Sequence, residues 1–485
     1  MPCCSPGDVL FGYKVPAKGV LFHTTQFLDF FLIAFAVYWA LPFHRARMLW
    51  LLAASCYFYM SWNPWLILLI LFSASVDFVI ALRLEKAESP RVRKWLVVLS
   101  ISVNLSLLAF FKYTNFLLGL AHGAATLAGV RYKARFLDII LPLGISFYTF
   151  ETISYIVDVY RRRIAPERRV LNYALYIMFF PHLISGPIIR PRDFLTQLAR
   201  PKRFDWERLV LGLELVLMGL VKKVLIADRL AKPVDLVFKD PQAFASGAVW
   251  LAALAYTGQI YCDFSGYSDM AIGLAHMLGF KLKPNFDMPY LSSSLTEFWR
   301  RWHISLSSWL RDYLYIPRGG SRGGKLATYR NLLITMLLGG LWHGADARFV
   351  FWGLYHGLWL ALERLFPSLG GPRSWLSRSL GMARTFLAVV VGWVFFRAPT
   401  FDDAILVLRR MFVPEGGRSL EGATFAILVC LAVVVVAHLA SRLFPLGRLD
   451  RTLPAPLLGL GMALVLVAVS ALREKGYTAF IYFQF

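Results

Sequence analysis

Residues 171–189 read LNYALYIMFFPHLISGPII. The run is apolar enough for a bilayer, yet Pro181 and the Gly186-Pro187 pair break a helix twice. Arg168 and Arg169 precede it, and a basic run from Arg190 to Arg203 follows. Lys and Arg mark the cytoplasmic side of membrane segments, so both flanks fall on one face. A segment that enters and leaves by the same face is re-entrant, and irregular backbone at membrane depth is tolerated only within protein or along a polar cavity. The stretch predicts a membrane protein with an internal chamber.

The rest of the chain agrees. Of 485 residues, 58% are hydrophobic and 17% charged, which excludes an ordinary soluble domain. At roughly 20 apolar residues per span there is room for about ten to twelve membrane segments. The expected fold is all-α, integral and polytopic, with a single membrane domain over residues 20–485 and an N-terminal extension over 1–19. The net charge of +23 lies in short loops between apolar blocks. It marks orientation among membrane lipids, and no separate basic domain exists to bind nucleic acid. Cys56, Cys262 and Cys430 sit in apolar blocks without metal-ligand spacing, and the adjacent Cys3 and Cys4 have no other ligand nearby. Residues 1–22 lack the apolar core of a signal peptide.

Apolar blocks at 26–42, 48–62, 64–83 and 95–112 are separated by the short Asn63-Pro64 link and by two basic loops, which places the N-terminus outside. An amphipathic stretch near 114–136 and a block at 138–160 lead to Arg161-Arg162-Arg163, again on the predicted inside. Spans near 208–227 and 247–263 follow, the second running into a polar glycine-containing segment, Tyr261 to Asp269. Residues 281–330 are the least apolar and are placed on the cytoplasmic face. The block at 331–343 is too short to span comfortably. Blocks at 347–365, 380–397, 423–444 and 455–472 complete the chain.

Ionisable residues in apolar surroundings cost several kcal/mol unless they face a cavity or a partner. The candidates are Glu151, Asp158, His182, Asp263, Asp269, His276, His303, His343, His356 and His438. His343 ends Leu338-Gly339-Gly340-Leu341-Trp342-His343, where glycines admit close approach of backbone or ligand. A histidine there either moves a proton between hydroxyl and leaving group, its unperturbed pKa lying near neutrality, or is a core residue satisfied by a carbonyl. Around His303, the run Trp299-Arg300-Arg301-Trp302 continues to Arg311-Asp312-Tyr313. Helical spacing would put Trp299, Trp302 and Leu306 on one face, as a membrane-surface helix or as a groove for an anionic, partly apolar ligand. Asp263 and Asp269, six apart, do not share a helical face, whereas Tyr155 and Asp158 suit a buried polar contact. Neither G-x-S-x-G nor H-E-x-x-H occurs, which removes serine- and metal-based hydrolysis and leaves no metal site.

Seven motifs then occur in order: LFHTTQFLDFF at 21–31, FKYTNF at 111–116, LPLGISFYTFETISYIVDVYR at 141–161, FPHLISGPIIRP at 180–191, YCDFSGYSDMAIGLAHMLGF at 261–280, EFWRRWHISLSSWLRDYLYIPRGG at 297–320 and GGLWHGA at 339–345. With FIYFQF at 480–485 they make the chain resemble the membrane-bound O-acyltransferase (MBOAT) superfamily, in its alginate O-acetyltransferase branch. The resemblance implies a ring of helices with re-entrant segments in a bacterial inner membrane. It implies His343 as the essential residue and His303 in support, with Trp299, Arg300, Arg301, Trp302, Arg311, Asp312, Tyr313 and Trp342 as substrate-binding residues. It further implies acetyl-CoA as a donor substrate with no bound cofactor, a polysaccharide acceptor such as alginate, and an extracytoplasmic serine-type (SGNH-like) acetyltransferase partner. A transporter or flippase that breaks no bond is the rival reading. Family members begin near Leu21-Phe22, so Val20, read from a non-AUG codon, is expected to be the true start. Intact mass of the native protein checks this, and a full-length mass would refute it.

Overall fold

The computed structural model describes residues 21–132, 134–184, 186–366, 374–443, 454–472 and Ile481, with the backbone of Val9–Leu10 and Tyr13–Lys14. Most of the 1–19 extension, and the FIYFQF ending except Ile481, lie outside the described residues. Apart from the two-residue pairing of Val9–Leu10 with Tyr13–Lys14 and an isolated bridge between Phe244 and Arg418, the fold is helical, as the apolar blocks predict. Among the described residues, five helices are long and apolar enough to cross a membrane: Pro64–Lys86, Pro90–Leu127, Trp375–Arg397, Glu421–Ala440 and Ala455–Leu472. The chain falls into two compact units. Unit 1 holds Met1–Leu209, Leu274–Leu282 and Tyr482–Phe485, and unit 2 holds Val210–Gly273 and Lys283–Ile481.

Unit 1 carries α1 (Thr25–Ala40), α2 (His44–Met60), α3 (Ile67–Lys86), α4 (Pro90–Leu108), α5 (Thr114–Leu127), α6 (Ile145–Tyr160), α7 (Val170–Met178), α8 (Phe180–Leu183) and α9 (Pro191–Leu198). Three of them are tied by a buried polar network. Asp77 on α3 accepts from Ser100 Oγ (2.5 Å) and Asn104 Nδ2 (2.9 Å) on α4, and Thr152 on α6 donates to Asn104 Oδ1 (3.0 Å). Every member finds a partner, which is the condition for tolerating polar groups at such depth.

The 171–189 segment is interrupted, as its prolines predict. Helix α7 stops at Phe179, α8 is a single turn through Pro181, and extended backbone leads to α9. Leu175 to Phe180 are fully buried, the setting irregular backbone needs. Glu151 on α6 holds the segment: its carboxylate accepts the Ile189 N–H (3.0 Å) and lies 3.3 Å from His182 Nδ1. Gly144, at φ +70°, sits against the Leu183 carbonyl, where a Cβ would collide. The expected Tyr155–Asp158 contact is replaced by other pairings. Tyr155 Oη accepts the Glu167 N–H (2.9 Å) and Asp158 pairs with Arg163 (3.5 Å).

In unit 2, α10 (Trp206–Leu220, shared with unit 1) continues through a π-helical turn, Val221–Ala227, into α11 (Asp228–Lys239). Helix α12 (Ser246–Met277) runs unbroken through the polar Tyr261–Asp269 stretch, where the sequence suggested the end of a span. The glycines there serve packing. Gly219 meets the backbone of Gly266, and Gly273 that of Gly212, so two glycines seven apart on each helix bring the backbones together. The close approach sets up ion pairs: Lys222 with Asp269 (2.6 Å) and Lys223 with Asp263 (2.6 Å) and Asp228 (2.9 Å). Asp263 and Asp269 indeed share no face, and each meets its own lysine.

Helices α13 (Leu295–Arg301), α14 (Ile304–Leu310), α15 (Gly324–His343) and α16 (Ala347–Leu365) follow, then α17 (Trp375–Arg397), α18 (Phe401–Phe412), α19 (Glu421–Leu443) and α20 (Ala455–Leu472). The 331–343 block is thus not an isolated short element. The helix starts at Gly324, within the stretch placed on the cytoplasmic face, and the block is the later part of this 20-residue helix.

Candidate functional site

The sequence around His303 does not form one amphipathic surface helix. Helix α13 ends at Arg301, the backbone turns through His303 at φ +44°, and α14 begins at Ile304. A left-handed histidine is uncommon and needs support from its surroundings. Asn285 provides it. Its carbonyl accepts the Ile304 N–H (2.9 Å), and its Oδ1 accepts the Ser305 N–H (3.0 Å) and hydroxyl (2.9 Å) and lies 3.3 Å from His303 Nδ1. The turn buries Trp302 and His303, which a surface helix would expose.

Helix α13 is fixed at its other end by Glu363 of α16. That buried carboxylate accepts the N–H groups of Leu295 (2.5 Å) and Thr296 (3.0 Å) and the Thr296 hydroxyl (2.9 Å). A carboxylate on the first turn satisfies donors that no helical carbonyl can reach. Within α13, Glu297 is held below the usual carboxylate range. Its partial burial works against this, and the Ser293 N–H and hydroxyl together with Arg301 outweigh it. Glu363→Ala leaves the Leu295 and Thr296 donors unmatched. A loss of roughly 1–3 kcal/mol is expected, seen as a lower melting temperature in detergent, with Glu363→Gln intermediate.

His343 is the last residue of α15. Gly340 upstream meets the Phe349 carbonyl and lies 3.0 Å from Gly353 Cα, had it a Cβ, so it is backbone of α16 rather than ligand that the glycine admits. This close packing aims the end of α15 at α13 and α16. His343 is 4% exposed, ringed by Trp342 (5.0 Å), Trp352 (5.1 Å) and Phe396 (5.3 Å), with the His303 ring 6.5 Å away.

A cavity of about 330 Å³ opens on this corner. Its wall includes His343, Trp299, Arg300 and Arg311, all singled out in the sequence, together with Trp352 and Arg364, which were not. Arg364 donates to Ser321 Oγ (3.0 Å) and Tyr315 Oη (3.3 Å). Arg300 of α13, Arg311 of the turn after α14 and Arg364 of α16 therefore line one cavity with His343.

The other expected site residues lie off this wall. Arg301 pairs with Glu297 (2.9 Å) and Asp287 (3.5 Å). Trp302 packs on Phe298 and Trp393 in the core. Asp312 accepts from Arg311 Nε (2.8 Å), Tyr313 stacks near Trp309, and Trp342 lies beside His343 and His303. His303 is fully buried, its ring 6.5 Å from that of His343. Of the remaining histidines, His438 Nδ1 sits 2.9 Å from the Val434 carbonyl, and His356 is fully buried beside Trp352. No group of three or more metal-ligating side chains occurs among the described residues.

A helical chain with five membrane-length spans among its described residues is a polytopic membrane protein, and its buried His343 borders a cavity lined by three arginines. Residues 167–371 match the MBOAT, membrane-bound O-acyltransferase, family. The chain is 44% identical to the "Probable alginate O-acetylase AlgI" of Pseudomonas aeruginosa, over 88% of this chain and 82% of that protein. It is 40% identical to the protein of the same name from Pseudomonas putida, over 96% and 100%. It is 35% identical to the "Peptidoglycan O-acetyltransferase" of Helicobacter pylori, over 81% and 80%. The chain belongs to the membrane-bound O-acyltransferase family, in the branch of the alginate O-acetylases, and is a multi-pass membrane O-acyltransferase.

Proposed function

We propose that this O-acyltransferase takes an acetyl group from acetyl-CoA on the cytoplasmic side of the bacterial inner membrane and passes it through the cavity at His343 for O-acetylation of an extracytoplasmic polysaccharide such as alginate. The observation that carries this reading is His343 on the wall that Arg300, Arg311 and Arg364 share. Guanidinium groups suit the donor's phosphates, and the apolar part of the wall, with Leu306, Leu310, Leu332 and Met336, suits its thioester arm. His343 removes the proton of the attacking hydroxyl and returns it to the departing thiolate, or itself takes the acetyl group for one step. His303, held by Asn285, supports it from behind. An SGNH-like serine acetyltransferase outside the membrane completes transfer to the sugar. The polymer names of the relatives support an acceptor with sugar hydroxyls.

Vesicles holding the full-length protein, with labelled acetyl-CoA outside and the SGNH-like acetyltransferase and its acceptor inside, test the reading. Acetyl is expected on the internal acceptor, with one free CoA left outside for each. Intact acetyl-CoA or acceptor crossing without CoA release would instead establish a transporter. In the same assay, Arg300→Ala with Arg364→Ala is expected to raise the KM for acetyl-CoA about tenfold, equivalent to about 1.4 kcal/mol of donor binding, while kcat changes little.

A further inference from the structure

Beside His343 lies a group of buried polar atoms that the mechanism above leaves unused. Nε1 of Trp299, Nε1 of Trp352 and both ring nitrogens of His356 have no hydrogen-bond partner among the described residues. They belong to one cluster, with ring centroids 5.6 Å apart for Trp299 and Trp352, 5.2 Å for Trp299 and His356 and 4.8 Å for Trp352 and His356. Trp352 is 1% exposed and His356 0%. An unmatched buried donor costs roughly 1–3 kcal/mol. The adjacent imidazole takes up neither indole N–H.

Trp299 and Trp352 are also part of the cavity wall, and the Trp352 ring stands edge-on to His343 at 5.1 Å and 86°. We propose that the indole N–H of Trp352, with that of Trp299 beside it, holds the carbonyl oxygen of the acyl donor as negative charge develops on it. This rests on the acyl-transfer function proposed above. In the step, the acceptor oxygen forms a bond to the thioester carbonyl carbon while its proton passes to His343. The carbonyl π pair moves onto oxygen, and the two N–H groups bind the resulting oxyanion. Collapse restores the C=O bond and breaks the C–S bond, and the thiolate leaves with the proton from His343. Donors fixed before the charge appears reorganise little during the step, which is why such groups stabilise a transition state strongly.

Isotope-edited infrared spectroscopy of acetyl-CoA labelled with 13C at the carbonyl, bound to full-length His343→Ala protein in lipid nanodiscs, reads this contact without turnover. The bound carbonyl is expected at a lower stretching frequency than in the His343→Ala, Trp352→Phe double variant, with Trp299→Phe giving a smaller return. With His343 intact, Trp352→Phe is expected to lower kcat by about 10²–10³-fold, the usual effect of removing one oxyanion donor, while the KM for acetyl-CoA stays within about threefold. A bound carbonyl whose frequency is unchanged by Trp352→Phe, in protein that melts at the parental temperature, would overturn the proposal. Absence of any bound carbonyl signal would instead overturn the donor assignment beneath it, and the proposal with it.

Discussion

His343→Ala is expected to lower acetyl-CoA turnover by about 10²–10⁴-fold, the range for loss of a positioned general acid–base, with the melting temperature in detergent nearly unchanged. The size follows from where the residue stands. His343 closes α15 on the cavity wall, so it can reach both an attacking oxygen and a leaving sulfur. Alanine leaves a hollow next to an existing cavity, which costs less stability than one sealed in the core. His303→Ala separates the two histidines. His303 is fully buried, 6.5 Å from His343 by ring centroids, and lies off the wall. Its loss is expected to reduce turnover less and stability more, because the left-handed turn loses the imidazole packed beside Asn285. Equal turnover by wild type and His343→Ala would remove His343 from the chemistry.

The largest stability effect is expected at Lys223→Met. Lys223 is 1% exposed and lies against two carboxylates, Asp263 and Asp228. Removing it leaves both acids in apolar surroundings with their principal cation gone, and breaking a buried pair in this way costs about 3–5 kcal/mol. Thermal unfolding in detergent measures the loss. Lys223→Met with Asp263→Asn is expected to recover part of it, since one of the stranded charges is then gone. An unchanged melting temperature in the single variant would show that the Lys223 ion pairs contribute nothing to holding α10 and α12 together.

The legible parts of the chain were those written in short-range pattern. The prolines of residues 171–189 announced an interrupted buried segment, and α7 and α8 are its pieces. The glycines before His343 announced close approach, although periodicity could not say that Gly353 of α16 would be the partner. What stayed hidden depended on long-range pairing. The partners of Asp263 and Asp269 were hidden because their lysines lie 40 and 47 residues earlier, and Asn285 gave no signal as the anchor of a left-handed histidine. The break at His303 was missed for a related reason: helical spacing on both sides of one turn reads as a single helix. Arg364 and Trp352 follow the histidine motif on a helix read only as a span. An arginine one residue short of the end of an apolar block is a signal that could have found the first, since such charges seek a partner or a polar space.

A structure of the full-length His343→Ala protein with acetyl-CoA tests the central claim most directly. The account predicts the thioester carbonyl within hydrogen-bond reach of Trp352 Nε1, the sulfur facing the space vacated at position 343, and the phosphates among Arg300, Arg311 and Arg364. Acetyl-CoA bound with its thioester away from that cavity would contradict it.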